Sequence, residues 1–271
     1  MSLQLVDIGA NLTHDSFDRD RPEVIARARA AGVCHMVVTG ADMASSAQAL
    51  ELCRHNPGIL SCTAGTHPHH ARDFDPEDAP VKLRALLACP EVVAVGECGL
   101  DYFRNFSPHA DQLRTFELQL ELAAETGKPV FMHQRDAHTD FMPVLRRYRD
   151  RISAGVVHCF TGEDEEVREY LDMDLYIGIT GWLCDERRGT HLRDLVKLIP
   201  PDRLMLETDA PYLLPRDLKP MPKDRRNEPA YLPHILQTAA SCTGRAAENV
   251  AAETTANAAR FFKLRLPGHM E

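Results

Sequence analysis

The chain has 271 residues, 44% apolar and 26% charged, with a formal net charge of −9. This composition excludes a disordered or fibrous chain. The acidic balance argues against a general polyanion-coating protein, although local basic loops can still hold phosphates on an acidic surface. No apolar stretch approaches the ~20 residues that span a bilayer, and the N-terminus MSLQLVDIGANL lacks the basic and apolar regions of a secretory signal. A cytoplasmic protein with no membrane partner is expected. The eight cysteines, at 34, 53, 62, 89, 98, 159, 184 and 242, form no CxxC or zinc-ribbon spacing. Several lie in apolar runs, so they are expected to be buried, reduced thiols.

Short apolar runs alternate with longer amphipathic stretches along the chain. Strands are expected at Leu5–Ile8, Val33–Thr39, Leu60–Gly65, Val92–Gly96, Val130–His133, Gly155–His158, Leu175–Ile179 and Arg203–Glu207. The segment RPEVIARARAAG has Pro22 near a helix start and Gly32 at its end. HADQLRTFELQLELAAETGKP has apolar residues at helical spacing and then the terminators Gly127 and Pro129. Residues 229–262 look like closing helices. Continuous rather than alternating apolar runs suit parallel strands covered on both faces. A (β/α)8 TIM-like barrel, one domain over residues 1–271, is the expected fold. A doubly wound open sheet is the alternative, weakened by the lack of GxGxxG after the first strand.

Catalytic groups of such barrels project from the C-terminal ends of the strands. Here those ends carry potential ligands: Asp7 on the first, His67 and His69 after the third, Glu97 on the fourth, His133 on the fifth, His158 on the sixth, Glu207 and Asp209 on the eighth. A buried carboxylate such as Glu97 needs a cation, a hydrogen-bonding shell or water to stay charged. Imidazoles and carboxylates at equivalent strand ends converge on one mouth. Glu97, His133, His158 and Asp209 are therefore the expected metal ligands.

Those residues sit in recognisable company. GTHPH, VGECGLD, FMHQRDAH, HCFTG, YIGITGW, LMLETDAPYLLP and NEPAYLPHIL, in that order, resemble the TatD family of metal-dependent deoxyribonucleases. The likeness runs from residue 5 to about 262 and implies a barrel of the metallo-dependent hydrolase type. Many family members open with an H-x-H pair, whereas VDIGANL places Gly9 and Asn11 there. Loss of two imidazoles favours a harder cation, Mg²⁺ ahead of Mn²⁺ or Zn²⁺.

The resemblance implies phosphodiester hydrolysis with 3′-to-5′ exonuclease character on single-stranded DNA, with RNA as a second substrate and DNA repair or fragment degradation as the setting. Asp209 and Glu97 are the expected catalytic carboxylates, with Asp209 orienting or deprotonating a water or ligating the metal. His67 and His69 are expected to contact the scissile phosphate or protonate the leaving oxygen, and Asp7 to support the site from behind or to be a weak ligand. Residues 216–226, RDLKPMPKDRR, hold five basic and two acidic residues. Arg225 and Arg226 in that loop, with Arg135, Arg187 and Arg188, are expected to hold phosphates, and Trp182 or Tyr102 to stack bases. A monomer without an obligate protein partner is expected. A small-molecule amidohydrolase or esterase using the same activated water is the competing function.

Overall fold

All eight apolar runs form strands in the computed structural model, which describes residues 4–266. They are β1 (Leu5–Ala10), β2 (Val33–Val38), β3 (Leu60–Ala64), β4 (Val92–Asp101), β5 (Val130–Arg135), β6 (Gly155–Val157), β7 (Tyr176–Ile179) and β8 (Leu204–Leu206). Each pairs in parallel with the next in chain order. The ring is completed between β8 and β1 beyond the regular ladders. Ala10 and Ala210 form a parallel bridge, the Asn11 N–H donates to the Ala210 carbonyl at 2.7 Å, and the Asp209 N–H donates to the Gly9 carbonyl at 2.8 Å. This is the expected (β/α)8 barrel.

The helices are α1 (Arg21–Ala30), α2 (Met43–His55), α3 (Ala79–Leu87), α4 (His109–Thr126), α5 (His138–Tyr148), α6 (Asp164–Asp172), α7 (Leu192–Leu195), α8 (Leu232–Thr243) and α9 (Ala247–Phe262). Local sequence sets their ends. Pro22 occupies the first turn of α1, where its missing N–H costs nothing. Asp42 and Ser45 form a reciprocal capping box at α2. Gly127 ends α4 in the left-handed conformation.

Two apolar layers hold the barrel. Val6, Ile8, Val37, Phe131, Val156 and Met205 form one cluster with Phe261 and Phe262 of α9. Helix α9 is tied to the N-terminal end of the barrel: Thr255 donates to the Gln4 carbonyl at 2.8 Å, and Asn257 donates to the Leu204 carbonyl at 2.8 Å. It therefore closes that end. A second, larger cluster joins the outer faces of the strands to the surrounding helices, with Leu5, Met36, Val38, Leu83 and Leu120 among its members. Each fully buried side chain of this size stabilises the fold by about 1.5–3 kcal/mol.

One boundary differs in a way that shapes the site. The apolar run of β4 stops at Gly96, but the strand continues to Asp101. Its register against β5 slips between Val95 and Cys98. Gly99, at φ +135°, lets the strand press against β5, since a Cβ there would overlap the His133 carbonyl. Glu97 is thus inside a strand. Strand β5 likewise runs on to Arg135, whereas β8 is shorter than expected. The expected domain span of 1–271 reaches beyond the described residues at both ends.

Candidate metal centre and active-site cleft

At the C-terminal mouth of the barrel lies a cleft of about 830 Å³. Glu97 forms its centre. The Glu97 N–H donates to the Gly40 carbonyl at 2.7 Å, fixing the backbone. Three imidazoles from three different segments converge on one of its oxygens. His158 Nε2 lies 2.7 Å from Glu97 Oε1, His133 Nδ1 3.1 Å and His67 Nε2 3.2 Å. A carboxylate oxygen has two lone pairs and cannot satisfy three donors in its own plane.

Around this core sits a ring of carboxylates. Asp101, buried, accepts from His69 Nε2 at 2.7 Å and approaches His133 Nε2 at 3.3 Å. The latter is not an aligned bond, which leaves His133 Nε2 buried without a hydrogen-bond partner. Glu207, buried on the opposite side, lies 3.3 Å from His158 Nδ1 and accepts from the Cys159 N–H at 2.5 Å. Asp7 accepts from Thr208 N at 2.9 Å and Thr208 Oγ1 at 2.5 Å. It thereby holds the turn that presents Asp209, whose Oδ1 accepts from Asn11 Nδ2 at 2.9 Å.

Charge follows from these contacts. Burial would raise Glu97, but the imidazoles of His67 and His158 outweigh it and hold the carboxyl well below its usual range. Burial would lower His158, but Glu97 and Glu207 hold it well above the usual imidazole value. His133 is likewise raised against burial by Asp101 and Glu97. His67 behaves oppositely: burial prevails and lowers it to about 4. Burial, with help from Glu97 and Glu207 and against His158, lifts Asp209 to about 7.

The residues present fit a divalent cation. Glu97, His67 and His133 alone place one donor atom each within 4.8 Å of one another. The overloaded Glu97 oxygen and the unpartnered, buried His133 Nε2 suit a nitrogen–oxygen ligand set for such an ion. The Gly9 position is also accounted for: a Cβ there would collide with Glu207 Oε2. The carboxylate of Glu207 fills the space a side chain at position 9 would need. Asn11 supports Asp209 instead of contributing an imidazole.

Most of the expected site residues meet in this cleft. Its lining includes His67, His69, Glu97, His133, Arg135, His158, Trp182, Arg188 and Asp209. Arg187, Arg225 and Arg226 are outside that lining. Arg187 pairs with Asp185 at 3.6 Å. Arg226 is bound to Asp20 at 2.7 Å and lies over the Phe17 ring, locking the basic loop to the segment before α1. Tyr102 is engaged elsewhere, its hydroxyl on Asp140 at 2.8 Å and its ring stacked on His109. A second donor cluster, Cys184, Asp217 and His234, lies apart from the cleft. Its groups are already partnered: His234 Nε2 is 2.7 Å from Asp217 Oδ1, and Cys184 donates to Thr238 at 3.4 Å.

Asp101, Phe103, Phe106 and Tyr212 were not among the expected site residues. Glu97, Gly99 and Asp101 alternate at the period of a strand, which is the signal that would have placed both carboxylates on one face. Phe103, Phe106 and Tyr212 line the cleft.

A parallel eight-stranded barrel with carboxylates and imidazoles gathered at its C-terminal mouth defines a metal-dependent hydrolase. The profile of the family described as TatD related DNase matches residues 6–263. The chain belongs to that family. It is 52% identical over 264 residues to the 3′-5′ ssDNA/RNA exonuclease TatD of Klebsiella pneumoniae, covering 97% of this chain and all of that protein. It is 54% identical over 258 residues to the protein of the same name from Cronobacter sakazakii, covering 95% of this chain and 97% of that one. Among solved structures, a TatD homologue from Escherichia coli K12 superposes with a TM-score of 0.88 at 25% identity, covering 98% of this chain and all of that one.

Proposed function

We propose that this chain is a metal-dependent 3′-to-5′ exonuclease that hydrolyses single-stranded DNA, with RNA as a second substrate. The observation that carries the proposal is the convergence of three imidazoles on Glu97 Oε1 in a cleft that also holds Asp209, Arg135 and Arg188. The relatives that match the whole chain are named for this activity. Glu97, His133, His158 and Asp209 hold the ion, with His67 adding a further nitrogen. A divalent cation there supplies Lewis acidity toward a phosphoryl oxygen and toward water. Mg²⁺ is the proposed working ion, with Mn²⁺ and Zn²⁺ as the alternatives that the imidazole donors also suit.

The protein's own groups supply the rest. Asp209, fixed by Asn11, orients or deprotonates the attacking water. His69, held by Asp101, contacts the phosphate or protonates the leaving oxygen. Arg135 and Arg188 hold phosphates along the cleft. The domain spans 1–271 and acts as a monomer in the cytoplasm, where its eight free thiols remain reduced. No helix among the described residues is long and apolar enough to cross a membrane.

The test uses single-stranded DNA labelled at the 3′ or the 5′ end, incubated with Mg²⁺, Mn²⁺, Zn²⁺ or EDTA. A metal-dependent ladder that shortens from the 3′ end, and is abolished in Glu97→Ala, is the expected result. Absence of cleavage with every ion, alongside turnover of neutral amides or esters, would transfer the site to the small-molecule hydrolase class.

A further inference from the structure

Three large aromatic side chains remain more than half exposed at the rim of the cleft: Phe103 at 55%, Phe106 at 52% and Tyr212 at 51%. A phenyl ring left in water forgoes the gain of burial, and grouped exposed apolar side chains mark an interaction surface. Phe103 and Phe106 follow β4, and Tyr212 follows β8. In a ring of eight strands in chain order, these two strands face each other across the barrel. The aromatics therefore stand on opposite lips with the Glu97 cluster between them.

The rings are held in place. The Arg135 guanidinium lies 3.9 Å from the centroid of Phe103 and that of Arg104 5.9 Å, yet the residue stays 55% exposed. Phe106 meets His69 edge-on at 4.8 Å, and Tyr212 meets His14 edge-on at 5.5 Å. Arg104 and Arg188 line the same cleft. Open π-faces interleaved with guanidinium groups match a chain of unpaired bases joined by phosphates.

We propose that Phe103 and Phe106 on one lip and Tyr212 on the other form a stacking clamp for the last unpaired bases of the strand. The inference rests on the nuclease reading and extends it to how single strands are selected. A terminal base in a duplex is held by its pairing partner and by stacking on its inner neighbour, so the clamp, which grips from two lips, takes hold only of a frayed or single-stranded end. A base stacked on Phe103 would become the third layer of a cation–ring–base sandwich with Arg135.

The experiment compares steady-state cleavage of a single-stranded oligonucleotide with that of the same oligonucleotide carrying abasic residues at its 3′ end. Wild type is run beside Phe103→Ala/Phe106→Ala, Tyr212→Ala and Phe103→Trp/Phe106→Trp. On the normal strand, the alanine variants should raise KM by roughly tenfold per stacked base, and the tryptophan variant should restore it. On the abasic strand, wild type and alanine variants should have the same KM. Unchanged KM on the normal strand, a loss of equal size on the abasic strand, or a fall in kcat alone would overturn the clamp while leaving the nuclease reading intact. Failure of wild type to cleave any single strand would overturn both.

Discussion

At the N-terminal end of the barrel, His35 on β2 is buried, with Nε2 2.9 Å from the Ser61 hydroxyl and no carboxylate bonded to it. Burial there lowers it to about 4, so it is neutral. At the C-terminal end, His158 is equally buried, but Glu97 and Glu207 flank it and raise it well above the usual imidazole value. The two rings share a barrel and a degree of burial and differ only in their neighbours. A low-dielectric interior rejects charge unless charge of the opposite sign is already there. One end consequently carries packing and the other carries chemistry, as expected of this fold.

Phe131 lies where the two ends meet. It is wholly buried in the inner core, and its ring stacks on His158 with centroids 4.3 Å apart. Phe131→Ala should produce the largest loss of stability, about 3–5 kcal/mol, seen as a lower denaturant midpoint. Phe131→Leu keeps most of the volume, so it should cost far less stability while still weakening metal affinity through a displaced His158. Equal stability losses in the two variants would show that the inner core is not packed as described.

The neutral histidine gives a pH signature of known sign. Between about 6.5 and 4, the unfolded chain binds a proton at His35 that the folded chain refuses. Its contribution is complete above the unfolded value and is lost as pH falls toward 4. Over that window it amounts to about 3 kcal/mol at most. His35→Gln should flatten the acid limb of a melting-temperature profile, leaving stability at pH 7 less affected than its pH slope. A profile identical to wild type would remove this contrast between the two ends.

At the charged end, Asp101→Asn removes the negative charge behind His133 and His69 while keeping the side chain's shape. Metal affinity and activity should fall about 10- to 100-fold, measured by metal titration and oligonucleotide turnover. The smallest effect is expected for the phosphate-holding arginines. Arg188→Ala should raise KM a few-fold and reduce the slope of log affinity against log salt by about 1, more than Arg225→Ala does.

Much of this arrangement was legible in the sequence because it depends on local periodicity. Continuous apolar runs marked all eight strands, and the potential ligands closing six of them marked the mouth, which is how Glu97, His133, His158 and Asp209 could be placed together. The rest depends on contacts that no local pattern encodes. Asp101 was hidden because Gly96 ends the apolar run while the backbone continues as a strand through Gly99. Its partners lie 32 residues on either side, at His69 and His133. The basic loop was legible as a cluster of charge, yet charge clustering does not give direction: Arg226 turns to Asp20, 206 residues earlier. Tyr102 and Phe103 are adjacent, yet the first is stacked on His109 and the second faces the cleft.

The account stands on Glu97 as the centre of a metal site. Calorimetric titration of Mn²⁺ into wild type and Glu97→Gln, with melting curves of both, tests it most directly. The expected result is saturable binding by wild type and affinity weaker by roughly a hundredfold in the variant, in a protein that still folds. Equal affinity in the two folded proteins would contradict it, and would mean that the three imidazoles gather on Glu97 for structure alone.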